Sequence, residues 1–357
     1  MKIRIRLSIR VLCLVLGTVS VVILFASGFA TKQFRNSIIE TMAKQDAATI
    51  SNVSTIIDNL VGNEVQTLQT LKSIVESVND DDYYANESFY KKTVEKACDN
   101  DKTLSFVWLN FNSEYVEAGS DEGRQIIKAE NTSYGTETNT KSIAQVYDDM
   151  NDPYFVCKEA GEMVIAEPDY YLYDGSTAKR TLRVPIATPI VKNGEQVGVI
   201  GVDINANAIQ TIIDSIQKES NQHIFILSPQ GRIVASNPDK NFNGQIYNEI
   251  DTLIGTFVDD AALNEISRKA VNRATGNSYC SVQAINPNKI KANWRVVVLA
   301  DDNIEEQISE SLGFVTRSIV IGLLLLAIII AILTQGIVNP IKKVNEVINK
   351  LALGKVD

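Results

Sequence analysis

Two stretches of this chain carry no charge for 20 residues each: Val11–Ala30 (VLCLVLGTVSVVILFASGFA) and Ile319–Val338 (IVIGLLLLAIIIAILTQGIV). As a helix, each spans about 30 Å, the thickness of a bilayer's hydrocarbon core. Only a helix satisfies its own backbone groups in lipid, so both are expected to be transmembrane helices. A cleaved signal peptide is the rival for the first run. That run is long for the apolar core of a signal, and a helical pattern follows it directly. Lys2, Arg4, Arg6 and Arg10 precede the first span; Lys342, Lys343 and Lys350 follow the second. Positive flanks stay cytoplasmic, which predicts a two-pass protein of the cell membrane with both termini inside and residues 31–314 outside.

The outer segment holds 25 basic and 41 acidic side chains, a net charge near −16. Such a surface repels phosphate backbones, so nucleic acid is excluded as a partner. Cys98, Cys157 and Cys280 are scattered through it without metal-ligand spacing, and three cysteines cannot all pair; a single bridge from Cys98 to Cys157 is possible. His223 is the only histidine. Histidine-centred catalysis and zinc chemistry therefore have almost nothing to work with, and a structural role at the start of the apolar strand HIFIL is expected for it. No catalytic constellation, metal cluster or cofactor motif is present.

From Ala48 to Val78, apolar residues recur at helical spacing: Val53, Ile56, Ile57, Leu60, Val65, Leu68, Leu71, Val75 and Val78. This predicts one long amphipathic helix leaving the membrane, its apolar stripe packed either on its own domain or against a twin in a dimer. Strand patterns follow at 104–111, 162–168 and 170–175. Residues 181–191 and 196–204 read as a hairpin closed by Asn193–Gly194. A helix is expected at 206–219. A second set of strands comprises a hairpin at 223–238 and runs at 278–285 and 293–301. Two strand–turn–strand modules behind one helix predict an α+β fold with two PAS-like lobes built on antiparallel sheets.

The order of these pieces resembles the double Cache sensor domains of bacterial transmembrane receptors of the methyl-accepting chemotaxis type. The resemblance is carried by the anchored helix, GEQVGVIGVDI closing the first lobe, ILSPQGRIVASNP opening the second and NWRVVVLAD before the second span. NPIKKVNEVINKLALGKVD resembles the first helix of a HAMP relay, with apolar positions Ile341, Val344, Ile348 and Leu351. A HAMP unit needs a second helix, so the chain is expected to be a fragment lacking its output domain. The resemblance implies a division into 1–10 (cytoplasmic), 11–30 (first span) and 31–314 (outer domain). The outer domain divides into 31–78 (long helix), 79–205 (membrane-distal lobe), 206–221 (connecting helix) and 222–314 (membrane-proximal lobe). Residues 315–338 then form the second span and 339–357 the start of HAMP. It also implies a homodimer signalling to cytoplasmic proteins, most commonly in chemotaxis, with diguanylate cyclases and histidine kinases as other outputs.

Amino-acid sensors of that family use a spaced set in the distal lobe: a tyrosine, an arginine, a tryptophan–tyrosine pair, a further tyrosine and an aspartate. Here the set falls on Tyr147, Asp152, Tyr154, Phe155, Tyr170 and Asp203. Asp152 stands where the family has its carboxylate-binding arginine. Two carboxylates among aromatic faces suit a cation through ion pairing and cation–π contact, so an amine-type ligand is expected ahead of an amino acid.

Alternatives remain at each position. Asp203 could instead pair with Arg183; the simplest register puts it opposite Val184 with Arg183 on the other face, unless a bulge near Pro189 shifts it. Asp148, Asp149 and Asp152 could solvate a loop, with Asp152–Pro153 opening a turn, or hold calcium. Tyr154, Phe155 and Trp108 could be core. The competing classes are a carboxylate-only enzyme using Asp152 and Asp203 and an inert surface anchor; a HAMP-like ending argues against the anchor.

Overall fold

The computed structural model describes residues 7–78, 83–116, 124–132, 134–143, 150–170, 181–217, 222–273, 276–301, 304–333 and 339–352. The chain forms two compact units, one of Ala43–Asp301 and one of the two terminal segments.

Helix α1 (Leu7–Glu76) runs unbroken for 70 residues. Ile50, Val53, Ile57, Val61, Leu68 and Val75 lie on its buried stripe with no exposed surface. Each such side chain contributes about 1.5–3 kcal/mol on leaving water. The stripe expected from the sequence is consumed by the domain itself, which favours domain packing over a dimer seam for this face. Both sheets lean on it in one continuous core, completed by α2 (Tyr83–Asn100) and α5 (Ala206–Gln217).

The first sheet comprises β1 (Leu104–Phe111), β2 (Arg124–Thr132), β3 (Gly135–Ile143), β4 (Val164–Ile165), β5 (Arg183–Lys192) and β6 (Glu195–Asn205), ordered β3-β2-β1-β6-β5-β4. A single turn, α3 (Ser113–Val116), follows β1, and α4 (Pro153–Ala160) follows β3. The second sheet comprises β7 (Gln222–Leu227), β8 (Ile233–Ser236), β9 (Ser267–Arg273), β10 (Gly276–Ile285) and β11 (Trp294–Asp301), ordered β8-β7-β11-β10-β9. Helices α6 (Tyr247–Ile250) and α7 (Gly255–Asp259) lie between β8 and β9. All ladder pairings are antiparallel. The expected strand at 162–168 shrinks to two residues; of the strand expected at 170–175 only Tyr170 lies among the described residues, and an isolated bridge joins its neighbour Asp169 to Arg183.

Within the terminal unit, the apolar part of α1 is long and apolar enough to cross a membrane, and Val21, Leu24, Phe25 and Phe29 are exposed there. Helix α8 (Ile304–Leu333) contains the second apolar run as far as residue 333, and α9 (Asn339–Ala352) follows. The apolar part of α8 found among the described residues, Arg317–Ile330, is shorter than a bilayer crossing, so one of the two expected spans meets the test of length and composition.

Candidate ligand site on the six-stranded sheet

The β5–β6 hairpin closes as its sequence dictates. Asn193 (φ 53°) and Gly194 (φ 84°) take the left-handed conformation a tight turn requires, and Lys192 pairs with Glu195. Two residues further on, the register slips between Ile190 and Val191, leaving Val197 as the extra residue of β6. Asp203 consequently sits opposite Pro185 rather than Val184. The slip also corrects the expected placement of Arg183: two residues from Pro185, it shares the face of Asp203.

That face is the one turned away from α1. Asp203 has no exposed surface and accepts a hydrogen bond from the Trp108 indole Nε1 at 2.8 Å. Trp108 lies opposite Gly201 across β1 and β6, and a Cβ on Gly201 would collide with the indole ring. The glycine two residues before the aspartate therefore makes room for the ring that reaches it. Trp108 is both core and partner of the carboxylate. Around this pair lie two cations: Lys128, which sequence reasoning did not select, and Arg183, which it weighed only as an internal partner of Asp203. Lys128, paired with Trp108 on β2, has its Nζ 5.2 Å from the Phe106 centroid. The Arg183 guanidinium stacks 3.7 Å over the same ring. Glu130 lies 3.9 Å from Lys128 and 4.0 Å from Arg183. Lys128 and Arg183 are both buried, so their charges are costly unless matched.

Asp152 is engaged by groups of its own chain. It is the N-cap of α4, with Pro153 behind it at the first helical position, where a missing N–H costs nothing. Its Oδ1 accepts from the Tyr154 backbone N–H at 2.9 Å, and its Oδ2 is 3.0 Å from Arg124 Nη2. The Arg124 guanidinium lies 4.8 Å from the Tyr154 ring centroid and 5.1 Å from that of Phe155. Tyr154 is buried, donating its hydroxyl to Asn112 Oδ1 at 2.7 Å; Phe155 is half-buried against it. The arginine missing at position 152 is thus present in space, contributed by β2. Nothing in RQIIKAENT, with no clean alternation, marked that strand or its face. Arg124 precedes Gln125, which pairs with Phe111, whereas Asp203 pairs with Phe106. About 20 Å of strand separates the two positions.

The remaining members of the expected set divide again. The Tyr170 hydroxyl donates to the Asn243 carbonyl at 3.3 Å, and its ring fills the space a Cβ on Gly244 would occupy. It belongs to a joint between the sheets that includes Glu167, hydrogen-bonded to Ser228 and 3.8 Å from Arg232. Tyr147, with Asp148 and Asp149, lies outside the described residues. Cys98 and Cys157 are both reduced and buried, the thiol of one donating to the Ala129 carbonyl and of the other to that of Glu162; burial pushes each up to about 12.

One long helix carrying two antiparallel sheets, each with its outer face crossed by short helices, defines a two-lobed α+β module. The chain belongs to the Cache domain family, whose model matches residues 30–308. It is 32% identical over 98 residues to the methyl-accepting chemotaxis protein McpA of Pseudomonas putida, a stretch that is 27% of this chain and 14% of that receptor. The periplasmic sensory domain of the Campylobacter jejuni chemoreceptor Tlp1 shares the fold with a TM-score of 0.57 at 14% identity, over 74% of this chain and 96% of that one. The ligand-binding domain of the Pseudomonas aeruginosa amino-acid chemoreceptor PctB, in complex with L-Arg, does so with a TM-score of 0.51 at 16% identity, over 74% and 97%.

Proposed function

We propose that this chain is the sensory part of a transmembrane chemoreceptor, and that the outer face of its six-stranded sheet binds a small zwitterionic ligand of the amino-acid type. The carrying observation is Asp203: a fully buried carboxylate, held by an indole N–H, on a face that also bears Lys128 and Arg183. Carboxylate and cations on one face suit a molecule bearing both charges. Asp203 takes the ammonium group, Lys128 and Arg183 meet the carboxylate, and Phe106 and Trp108 supply apolar wall. The amine-type reading needed Asp152 as a second carboxylate for a cation. With its oxygens on the α4 cap and Arg124, that reading loses half its support. PctB, whose structure holds L-Arg, lends the zwitterion reading a precedent in fold.

The rest of the proposal concerns signalling. The exposed apolar side chains of α8, among them Leu324, Ile328 and Ile332, suit contact with lipid. Those of α9, at Ile341, Val344, Ile348 and Leu351, recur at the 3–4 spacing of a helix bundle and suit a HAMP relay in a homodimer. A cytoplasmic output, chemotaxis ahead of a cyclase or kinase, follows from this reading. Ligand binding would act on it only through unequal affinity for two conformations.

Calorimetric titration of residues 43–301 with panels of amino acids and of simple amines tests the ligand class. The expected outcome is saturable binding of at least one zwitterionic amino acid, weakened tenfold or more by Asp203→Asn, about 1.4 kcal/mol. Binding confined to amines, or indifferent to Asp203→Asn, overturns the reading.

A further inference from the structure

The second sheet repeats the plan of the first. Its order β8-β7-β11-β10-β9 matches β2-β1-β6-β5-β4: in each, the last strand lies beside the first, and a helical segment intervenes in sequence before the returning strands. One face of each sheet joins the core along α1, and the other forms a separate cluster, Phe106, Trp108 and Val199 in one lobe and Phe225, Leu227 and Val297 in the other. Near the start of β1, Phe106 pairs with Asp203; near the start of β7, His223 pairs with Leu299. At that corresponding place the second lobe has a cavity of about 160 Å³, bounded by His223, Phe225, Phe242, Tyr247, Asp251 and Leu299 among others.

We propose that this cavity is a second small-molecule site, distinct from the one built on Asp203, and that it takes a compact alkylammonium ion. Size sets the first limit: a cavity of this volume holds a guest of roughly six heavy atoms. Chemistry sets the second. Among the described lining residues, the rings of Phe225, Phe242 and Tyr247 wall the space and Asp251 supplies a carboxylate. Aromatic rings and a carboxylate together favour a cation over a neutral or anionic guest. Asp251 is buried and fixed in place: its backbone N–H bonds to the Tyr247 carbonyl at the end of α6, and its Oδ1 accepts from the Leu253 N–H at 3.3 Å. The His223 imidazole adds a polar edge at the mouth of β7. In contrast to the first lobe, the lining residues among the described ones include no lysine or arginine to receive a carboxylate. The two lobes thus present different chemistries on one plan, a zwitterion site and an ammonium site.

The test uses the full chain in nanodiscs, with isobutylammonium chloride as probe and isobutyrate and isobutanol as controls of matched shape. Calorimetry should give one saturable isobutylammonium site per chain, with neither control binding comparably. Asp251→Asn, which keeps the acceptor for Leu253, and Phe242→Ala, at a half-buried ring, should each weaken it at least tenfold, whereas Asp203→Asn should leave it unchanged. Thermal melts of each variant verify folding. Absence of saturable binding, equal binding of isobutanol, or a loss that follows Asp203→Asn instead of Asp251→Asn overturns the proposal.

Discussion

A single methylene separates Gly201 from a residue that could not occupy its place, because the Trp108 indole lies across its Cα to reach Asp203. Asp203 itself was legible in the sequence, since a carboxylate inside GVIGVDI cannot be buried without a partner. Its partner was not, because which ring reaches it depends on β1 lying beside β6. Glu64 is a second buried carboxyl, and one that no pattern announced. It lies on the buried face of α1, accepts from the Thr103 hydroxyl at 2.9 Å, and its other oxygen meets no hydrogen-bond donor among the described residues. Burial, reinforced by the negative charge of Asp101, lifts it to about 7 from an ordinary 4.5. A carboxyl raised in this way holds its proton more tightly when folded. Its contribution to stability is therefore fully present below about pH 4.5 and is lost as pH rises through about 7. The loss is on the order of 3 kcal/mol. Melting temperatures of Glu64→Gln followed from pH 4.5 to 8 should fall less steeply than those of the parent and exceed them at pH 8. Parallel curves would show that Glu64 is not the group responsible.

Helix α4 shows how one element can carry both a cap and a charge pair. Asp152, Pro153 and Gly161, the last at φ 65°, are an N-cap, a first-turn proline and a left-handed closing residue, so the eight-residue helix is bounded by local chemistry. The turn opening that Asp152–Pro153 offers as the alternative to ligand contact is the same local geometry continued for two turns. Asp152→Ala forfeits about 1 kcal/mol of cap and strips the carboxylate from a buried guanidinium, the larger loss, for a total of about 3 kcal/mol. Asp152→Asn keeps the cap acceptor and loses only the charge. Urea denaturation should therefore order the three proteins parent, Asn, Ala; an Ala variant as stable as the parent would remove Asp152 from any structural role. Elements that escaped the sequence are those with few aliphatic side chains to mark a period. The strand GTETNTKSI (β3) has one aliphatic residue, and α2 mixes four buried positions among charged ones. Their neighbours, not their patterns, make them regular.

At the scale of the molecule, α1 joins everything: both sheets share its core, and Asp46 on it accepts hydrogen bonds from Ser281 and Gln222 and lies 3.3 Å from Arg268 of the second sheet. The proposed two-pass topology can be read directly. Alkaline phosphatase fused after residue 301 should be active and, after residue 352, inactive; the reverse pattern, or activity at both, would end the two-pass proposal. The sequence alone determined the N-terminal apolar run, the long helix, the hairpins and the family, because these depend on local periodicity, turn chemistry and unbroken apolar length. Only the tertiary structure decided which charges share a face. Register is set by a one-residue slip near Ile190 that turns Arg183 to the face of Asp203, and β2 brings Arg124 to Asp152 across 28 positions of chain. Charges far apart in sequence are matched by folding, and one strand's register decides which of them meet.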